Sequence, residues 1–329
     1  MKNIVICSDG TGNEYCENNT NVVETYTITE KTADQVVFYD PGVGTGGWEY
    51  MEGKKPGDNS LKSLSDQATG EGLQENVNDA YEYLMETYEE GDRIFLFGFS
   101  RGAFTVRSLA GMLYKVGLLP PDNDNLIPYA AKLYNIEGNL PLAHGFRETF
   151  CRRCPVYFIG VWDTVSSLVM SAGKQWHSGA LNPEVTYGYH ALAIDEQRED
   201  FEPALWLDDP GHLAPGQVIE QVWFAGVHSN VGGWYDERGL SNISLHWMLN
   251  HAKARGLKIN EAELDKRAGD PHDKLYNSRT GIWRIRGKHV REIPAGSKVH
   301  KSVFDRKNRA ANKYTPKNLL PRSKYTVVE

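Results

Sequence analysis

The chain has 329 residues, 40% hydrophobic and 24% charged, with a formal charge of −7; this composition excludes collagen-like, coiled-coil and disordered classes. The charge is uneven: residues 282–329 carry 13 Lys/Arg against 3 Asp/Glu, leaving the preceding 281 residues at net −17. No run of 18 apolar residues and no leader pattern occurs, so the sequence predicts no spanning helix and a cytoplasmic default.

In chain order, residues 4–7 (IVIC) form the first predicted strand, followed by the loop Asp9-Gly10-Thr11-Gly12-Asn13. A second strand is expected at 36–39, then a Gly-rich, aperiodic segment over 40–72, a length of loop that is usually functional. Residues 42–47 (GVGTGG) satisfy a dinucleotide pattern, but neither a helix start nor an acid-ended strand follows, so no nicotinamide cofactor is expected. Leu73, Val77, Ala80, Tyr81, Leu84 and Tyr88 mark a helix over 73–90. The strand 93–99 (RIFLFGF) comes next, and a helix over 103–116 follows it. Segment 117–150 is a second candidate for covering a site, with Tyr129 and Tyr134, like Trp48 and Tyr50 upstream, as candidate apolar contacts to a ligand. Cys151 and Cys154 form a C-x-x-C without the second pair a zinc site needs, so no metal is assigned there. Strands are expected at 156–162 (VYFIGVW) and 218–227 (VIEQVWFAGV), a helix at 240–256, and weak strand character at 282–286. The apolar runs are continuous rather than alternating, as in parallel sheets buried on both faces. Strand and helix alternate, which predicts an α/β fold with a mainly parallel central sheet.

Between the strand 93–99 and its helix lies Gly98-Phe99-Ser100-Arg101-Gly102, a G-x-S-x-G in the strand, sharp turn and helix context that exposes a nucleophilic hydroxyl. Gly98 and Gly102 flank the turn because a side chain there would strike neighbouring backbone. A serine needs a base to take its proton and an acid to hold that base. Asp163 directly follows one predicted strand, and His228 closes another before Gly232 and Gly233, giving the order Ser, Asp, His. Asp195 is the reserve acid. Oxyanion donors are expected from the N–H groups of Arg101, Gly10 and Thr11, with Asp9 holding its loop through backbone N–H groups. Two other readings remain: a metal-dependent phosphohydrolase using Asp9 with Asp40, Asp163 and Asp195, and a hydrolase-like binding module without catalysis.

The motifs DGTGN (9–13), YDPGVGT (39–45), GFSRGAF (98–104), GVWDTV (160–165), HALAIDEQREDFEPALW (190–206), WFAGVHSNVGG (223–233) and VHKSVFDR (299–306) together resemble an α/β-hydrolase domain family that includes type VI secretion phospholipase effectors of bacteria. The resemblance implies a three-layer α/β-hydrolase fold, with Ser100 as nucleophile, Asp163 as acid and His228 as base. Such proteins usually carry Asp two residues after the His, where this chain has Asn230. The expectation is one domain over 1–329, its basic segment 282–329 packed on the body, acting as a serine esterase on acyl-lipid or phospholipid-like substrates. No cofactor or nucleic acid is expected; peripheral membrane contact is open.

Overall fold

The computed structural model describes residues 1–10, 18–42, 70–136, 138, 140–165, 179–209 and 211–329. The strands are β1 (Asn3–Ser8), β2 (Gln35–Asp40), β3 (Arg93–Phe99), β4 (Val156–Trp162), β5 (Val185–Ala193), β6 (Val218–Phe224), β7 (Lys298–His300) and β8 (Thr326–Val328). They form one parallel sheet in the order β2-β1-β3-β4-β5-β6-β7-β8. The main helices are α1 (Asn21–Ile28), α2 (Gly70–Thr87), α3 (Arg101–Val116), α4 (Ile127–Asn135), α5 (Leu140–Phe150), α6 (His228–Gly232), α7 (Gly239–Ala254), α8 (Glu261–Asp265) and α9 (Lys301–Asn308).

Side chains of a strand alternate between faces, and here both faces are apolar. Ile4, Ile6, Ile94 and Leu96 join α2, α3, α4 and α5 in one core, whereas Val5, Cys7, Phe95, Phe97 and Phe99 join α1 and α7 in the other. Helices therefore cover both faces, and the architecture is a three-layer α/β sandwich. Each fully buried Ile or Phe contributes about 1.5–3 kcal/mol, which explains why the continuous apolar runs are strands.

The tail contributes to the same sheet. Ile293, Val299, Val303, Phe304, Tyr314, Leu319 and Tyr325 are buried with Leu192, Ile194, Trp223 and Ala225 in a third cluster at the β6–β8 end. The weak strand expected at 282–286 is not formed: residues Gly281–Arg284 make a short 3-10 turn, and Ile285 is 87% exposed. Among the described residues, Ile285, exposed between two arginines, pairs with no strand edge. The segment 117–150 folds into α4 and α5 against α3, while 43–69, including Trp48 and Tyr50, lies outside the described residues.

Sheet order reverses direction around β1: the chain runs outward to β2, then returns to add β3 on the other side. Crevices at the carboxyl ends of strands beside such a reversal are where open α/β sheets bind ligands. Ser8 to Gly10 lie at the end of β1, and Ser100 lies at the end of β3. Gly102 lets these two segments touch, because a Cβ there would sit 2.0 Å from the Ser8 carbonyl oxygen. Backbone on both sides cannot yield, so Gly102→Ala is expected to cost about 3 kcal/mol or more. A melting temperature unchanged from wild type would contradict that.

Candidate active site

Ser100 follows β3 directly and caps α3, with φ 57° and ψ −117°. A non-glycine residue at positive φ costs of order 1–3 kcal/mol and persists only where its surroundings over-determine it. Here Ser100 N–H donates to Trp162 O at 3.1 Å, and the next turn packs so closely that a Cβ at Gly98 would lie 2.5 Å from Gly102 O. The turn is held by β4 on one side and by the glycines on the other. Its hydroxyl sits at the start of a 16-residue helix with Arg101 N–H among the first free donors.

Asp163 ends β4, also at positive φ (42°) and fully buried. His228 opens α6 just after β6, and its Nδ1 lies 2.6 Å from Asp163 Oδ2. Residues 65 positions apart are thus brought together from the ends of β4 and β6, with β5 between them in the sheet. The second oxygen, Oδ1, accepts from Ala193 N–H at 2.9 Å. Burial opposes ionisation of Asp163, but Arg291 and His228 outweigh it and hold the carboxyl below the usual carboxylate range. An ionised Asp163 makes Nδ1 the protonated nitrogen of a neutral His228, leaving Nε2 with its lone pair.

The His228 ring is enclosed by Phe99, at 4.6 Å between ring centres, and by Phe201, edge-on at 5.0 Å. Burial between these rings lowers its pKa from the ordinary histidine value, against the pull of Asp163. Phe99 neighbours Ser100 in sequence, so the same aromatic that covers the histidine carries the serine. Gly232 makes room for that ring, since a Cβ there would lie 2.0 Å from Phe99 Cε2. No hydrogen bond joins Ser100 Oγ to His228 among the described residues; such contacts often close only when substrate is bound.

Asp195, the reserve acid, does not reach His228. Its Oδ2 accepts from Gly226 N–H at 2.7 Å and from the Tyr314 hydroxyl at 2.8 Å, which fixes the turn leading into His228. The sequence reading missed its neighbour Glu196, buried, whose Oε2 accepts from the His228 backbone N–H at 3.2 Å and whose oxygens are paired with Arg198. Two acids in tandem carry no sequence mark of which one faces the histidine. Asn230 is buried and used at both ends: Oδ1 accepts from Tyr276 N–H, and Nδ2 donates to Lys274 O at 3.2 Å. A carboxylate could not make the second bond, so the amide is the side chain this loop requires.

At the end of β1, Asp9 Oδ1 accepts from Gly10 N–H at 2.7 Å, while Oδ2 accepts from the hydroxyls of Thr20, 2.6 Å, and Tyr39, 3.1 Å. The carboxylate therefore ties its loop to the cap of α1 as well as to a backbone N–H. Gly10 N–H, expected to face an oxyanion, is turned to Asp9 in this structure, and Thr11 lies outside the described residues. Asp40 is held by Ser8 and Asn76. The four carboxylates of the phosphohydrolase reading thus serve separate donors, and among the described residues no three metal-ligating side chains gather as an ion-holding group.

Arg291 is the residue the sequence reading overlooked. It lies in the basic segment, is 2% exposed, and places Nη1 2.7 Å from Asp163 Oδ1 and Nη2 3.0 Å from Asp163 Oδ2. A cleft of about 1370 Å³ runs along α3, lined among the described residues by Phe104, Tyr134, Leu181 and Trp206 and also by charged Arg107, Lys115 and Glu148; Ser100, Asp163 and His228 do not line it. Tyr129 does not line it and packs on Phe146.

Residues 2–251 match the family described as T6SS, phospholipase effector Tle1-like, catalytic domain. An uncharacterized protein of Saccharomyces cerevisiae, YEL023C, is 30% identical over 226 residues, covering 64% of this chain and 33% of that protein. A crystal structure of an uncharacterized protein from Pseudomonas aeruginosa shares 15% identity at a TM-score of 0.44, covering 82% of this chain and 49% of that one. The chain thus spans a third of the yeast relative and about half of the bacterial protein. Among the described residues, no helix is long and apolar enough to cross a membrane.

Proposed function

The chain belongs to the family of T6SS Tle1-like phospholipase effector catalytic domains, and on that premise we propose that it is a metal-independent serine hydrolase of carboxylic esters, acyl-lipid or phospholipid-like in kind. The observation that carries this reading is the 2.6 Å contact of His228 Nδ1 with a buried, ionised Asp163, while the neighbouring strand β3 ends in a serine held at positive φ.

In this mechanism His228 Nε2 takes the Ser100 proton as Oγ attacks the ester carbonyl. Asp163 stabilises the imidazolium without itself taking the proton. The oxyanion rests on Arg101 N–H and on the Gly10 to Thr11 loop, where Gly10 N–H would turn from Asp9 toward the substrate. The imidazolium then protonates the leaving alkoxide. Water, activated by the regenerated base, attacks the acyl-serine and releases the acid. We assign the acyl chain to the cleft along α3, whose lining includes Phe104, one helical turn after Ser100 in sequence.

Only neutral His228 can act as base, and its pKa is lowered by burial. The acid limb of kcat/KM is therefore expected below the ordinary histidine value of about 6.5. Incubation with a mixed phospholipid extract, read by mass spectrometry with and without a chelator, should yield fatty acid and lysolipid in equal amounts under both conditions. Release of phosphate or headgroup alone, or abolition by the chelator, would contradict the reading.

A further inference from the structure

Arg291 comes to the site from beyond the span that matches the family, which ends at residue 251. Its guanidinium is anchored independently of the carboxylate: Nη1 also donates to Ala193 O at 2.7 Å, and Nη2 to Phe201 O at 2.5 Å. Its own carbonyl accepts from Asn318 Nδ2 at 3.0 Å, which ties this stretch of backbone to the segment before β8. Phe201 in turn lies edge-on to the His228 ring. A carboxylate has about four acceptor positions, and those of Asp163 are filled by His228, Ala193 N–H and the two arms of Arg291.

We propose that Arg291 is a positioning residue, which clamps the Asp163 carboxylate against His228 and sets the pH at which the Asp163–His228 pair takes up a proton. This rests on the reading of those two residues as acid and base. A buried carboxylate facing one neutral imidazole would tend to protonate, and a neutral acid could not hold His228 in the tautomer that leaves Nε2 free. The fork of Arg291 keeps the acid ionised and its plane fixed. Its positive charge also disfavours a further proton anywhere on the pair, which titrates as a unit. Among the described residues, the remaining titratable groups facing the pair are Glu196 at the His228 backbone, Arg198 bound to Glu196, and His190 beneath Thr164, kept neutral with its pKa lowered to about 3 by burial and by Arg107. Glu196 and Arg198 largely cancel, so loss of Arg291 leaves the Asp163 charge unopposed.

The sign follows: without Arg291 the pair binds its proton at higher pH, whichever residue carries it, and in both forms the base is lost. For Arg291→Met, the acid limb of kcat/KM on a short-chain p-nitrophenyl ester should rise by about one pH unit, with kcat falling about 10- to 100-fold and KM little changed. Arg291→Lys keeps the charge without the fork, so its acid limb should stay near wild type while kcat falls. A purely structural role predicts lower thermal stability with the acid limb unmoved, and that result overturns the proposal. Should Arg291→Met fail to fold, Arg291→Lys decides: a kcat equal to wild type overturns the clamp. The His228 ring nitrogens, titrated by NMR in Ser100→Ala with and without Arg291→Lys and Arg291→Met, give a readout independent of turnover. If wild type cleaves no ester, the hydrolase reading fails, yet an upward-shifted titration in the Met variant still supports the clamp and an unshifted one still overturns it.

Discussion

Ser100→Ala is expected to lower kcat on carboxylic esters by about 10⁴-fold or more, the scale on which a triad nucleophile is lost, while leaving residual binding and oxyanion donors intact. The fold should hardly notice. Alanine at φ 57° carries the same backbone strain as serine, so the melting temperature should stay close to wild type. Ser100→Gly separates the two effects, since glycine enters positive φ freely: activity should fall as far, and stability should rise by about 1 kcal/mol. Paired measurements of ester turnover and thermal unfolding on the two variants check both halves. Equal turnover in Ser100→Ala and wild type would remove the serine from the mechanism.

The second large effect concerns the basic segment. A chain ended after residue 280 loses β7, β8, α9 and Arg291, together with Ile293, Val299, Val303, Phe304, Tyr314, Leu319 and Tyr325 from the third core cluster. Seven buried apolar side chains at about 1.5–3 kcal/mol each exceed 10 kcal/mol. Domains have only about 5–15 kcal/mol in total. The truncated chain should therefore show no cooperative thermal transition and no ester turnover. Circular dichroism and a melt on the soluble fraction test this, and a cooperative melt near the wild-type temperature would show that the segment is dispensable.

The same segment marks where the sequence was hard to read. β1, β3 and β4 are legible because both faces of each are buried, so their residues read as unbroken apolar runs. β5, Val185–Ala193, escaped because Gly188 and His190 interrupt it. Their reasons are tertiary: a Cβ at Gly188 would lie 2.7 Å from Leu181, and His190 accepts from Thr164 N–H beneath the site. β7 and β8 are three residues each, too short for any periodicity. α1 was hidden by its β-branched residues; its cap Thr20, which bonds both Val23 N–H and Asp9, is a signal readable only with hindsight of the contact.

Ser100, Asp163 and His228 could be proposed from sequence because each directly follows a predicted strand, and parallel strands bring such ends to one edge. Arg291 was not, because local sequence gives it the look of Arg286, which is exposed and paired with Asp200 on the surface. What separates the two is burial against Asp163, a contact spanning 128 residues.

The most direct measurement is covalent. Wild type, Ser100→Ala and His228→Ala are treated with a fluorophosphonate, and the protein is read by intact mass and peptide mapping. Hydrolysis at Ser100 requires one adduct per chain in wild type, located on the peptide that contains Ser100, greatly slowed in His228→Ala and absent from Ser100→Ala. An unlabelled wild type that still releases fatty acid, or an adduct that persists in Ser100→Ala, would contradict the assignment of Ser100 as the nucleophile.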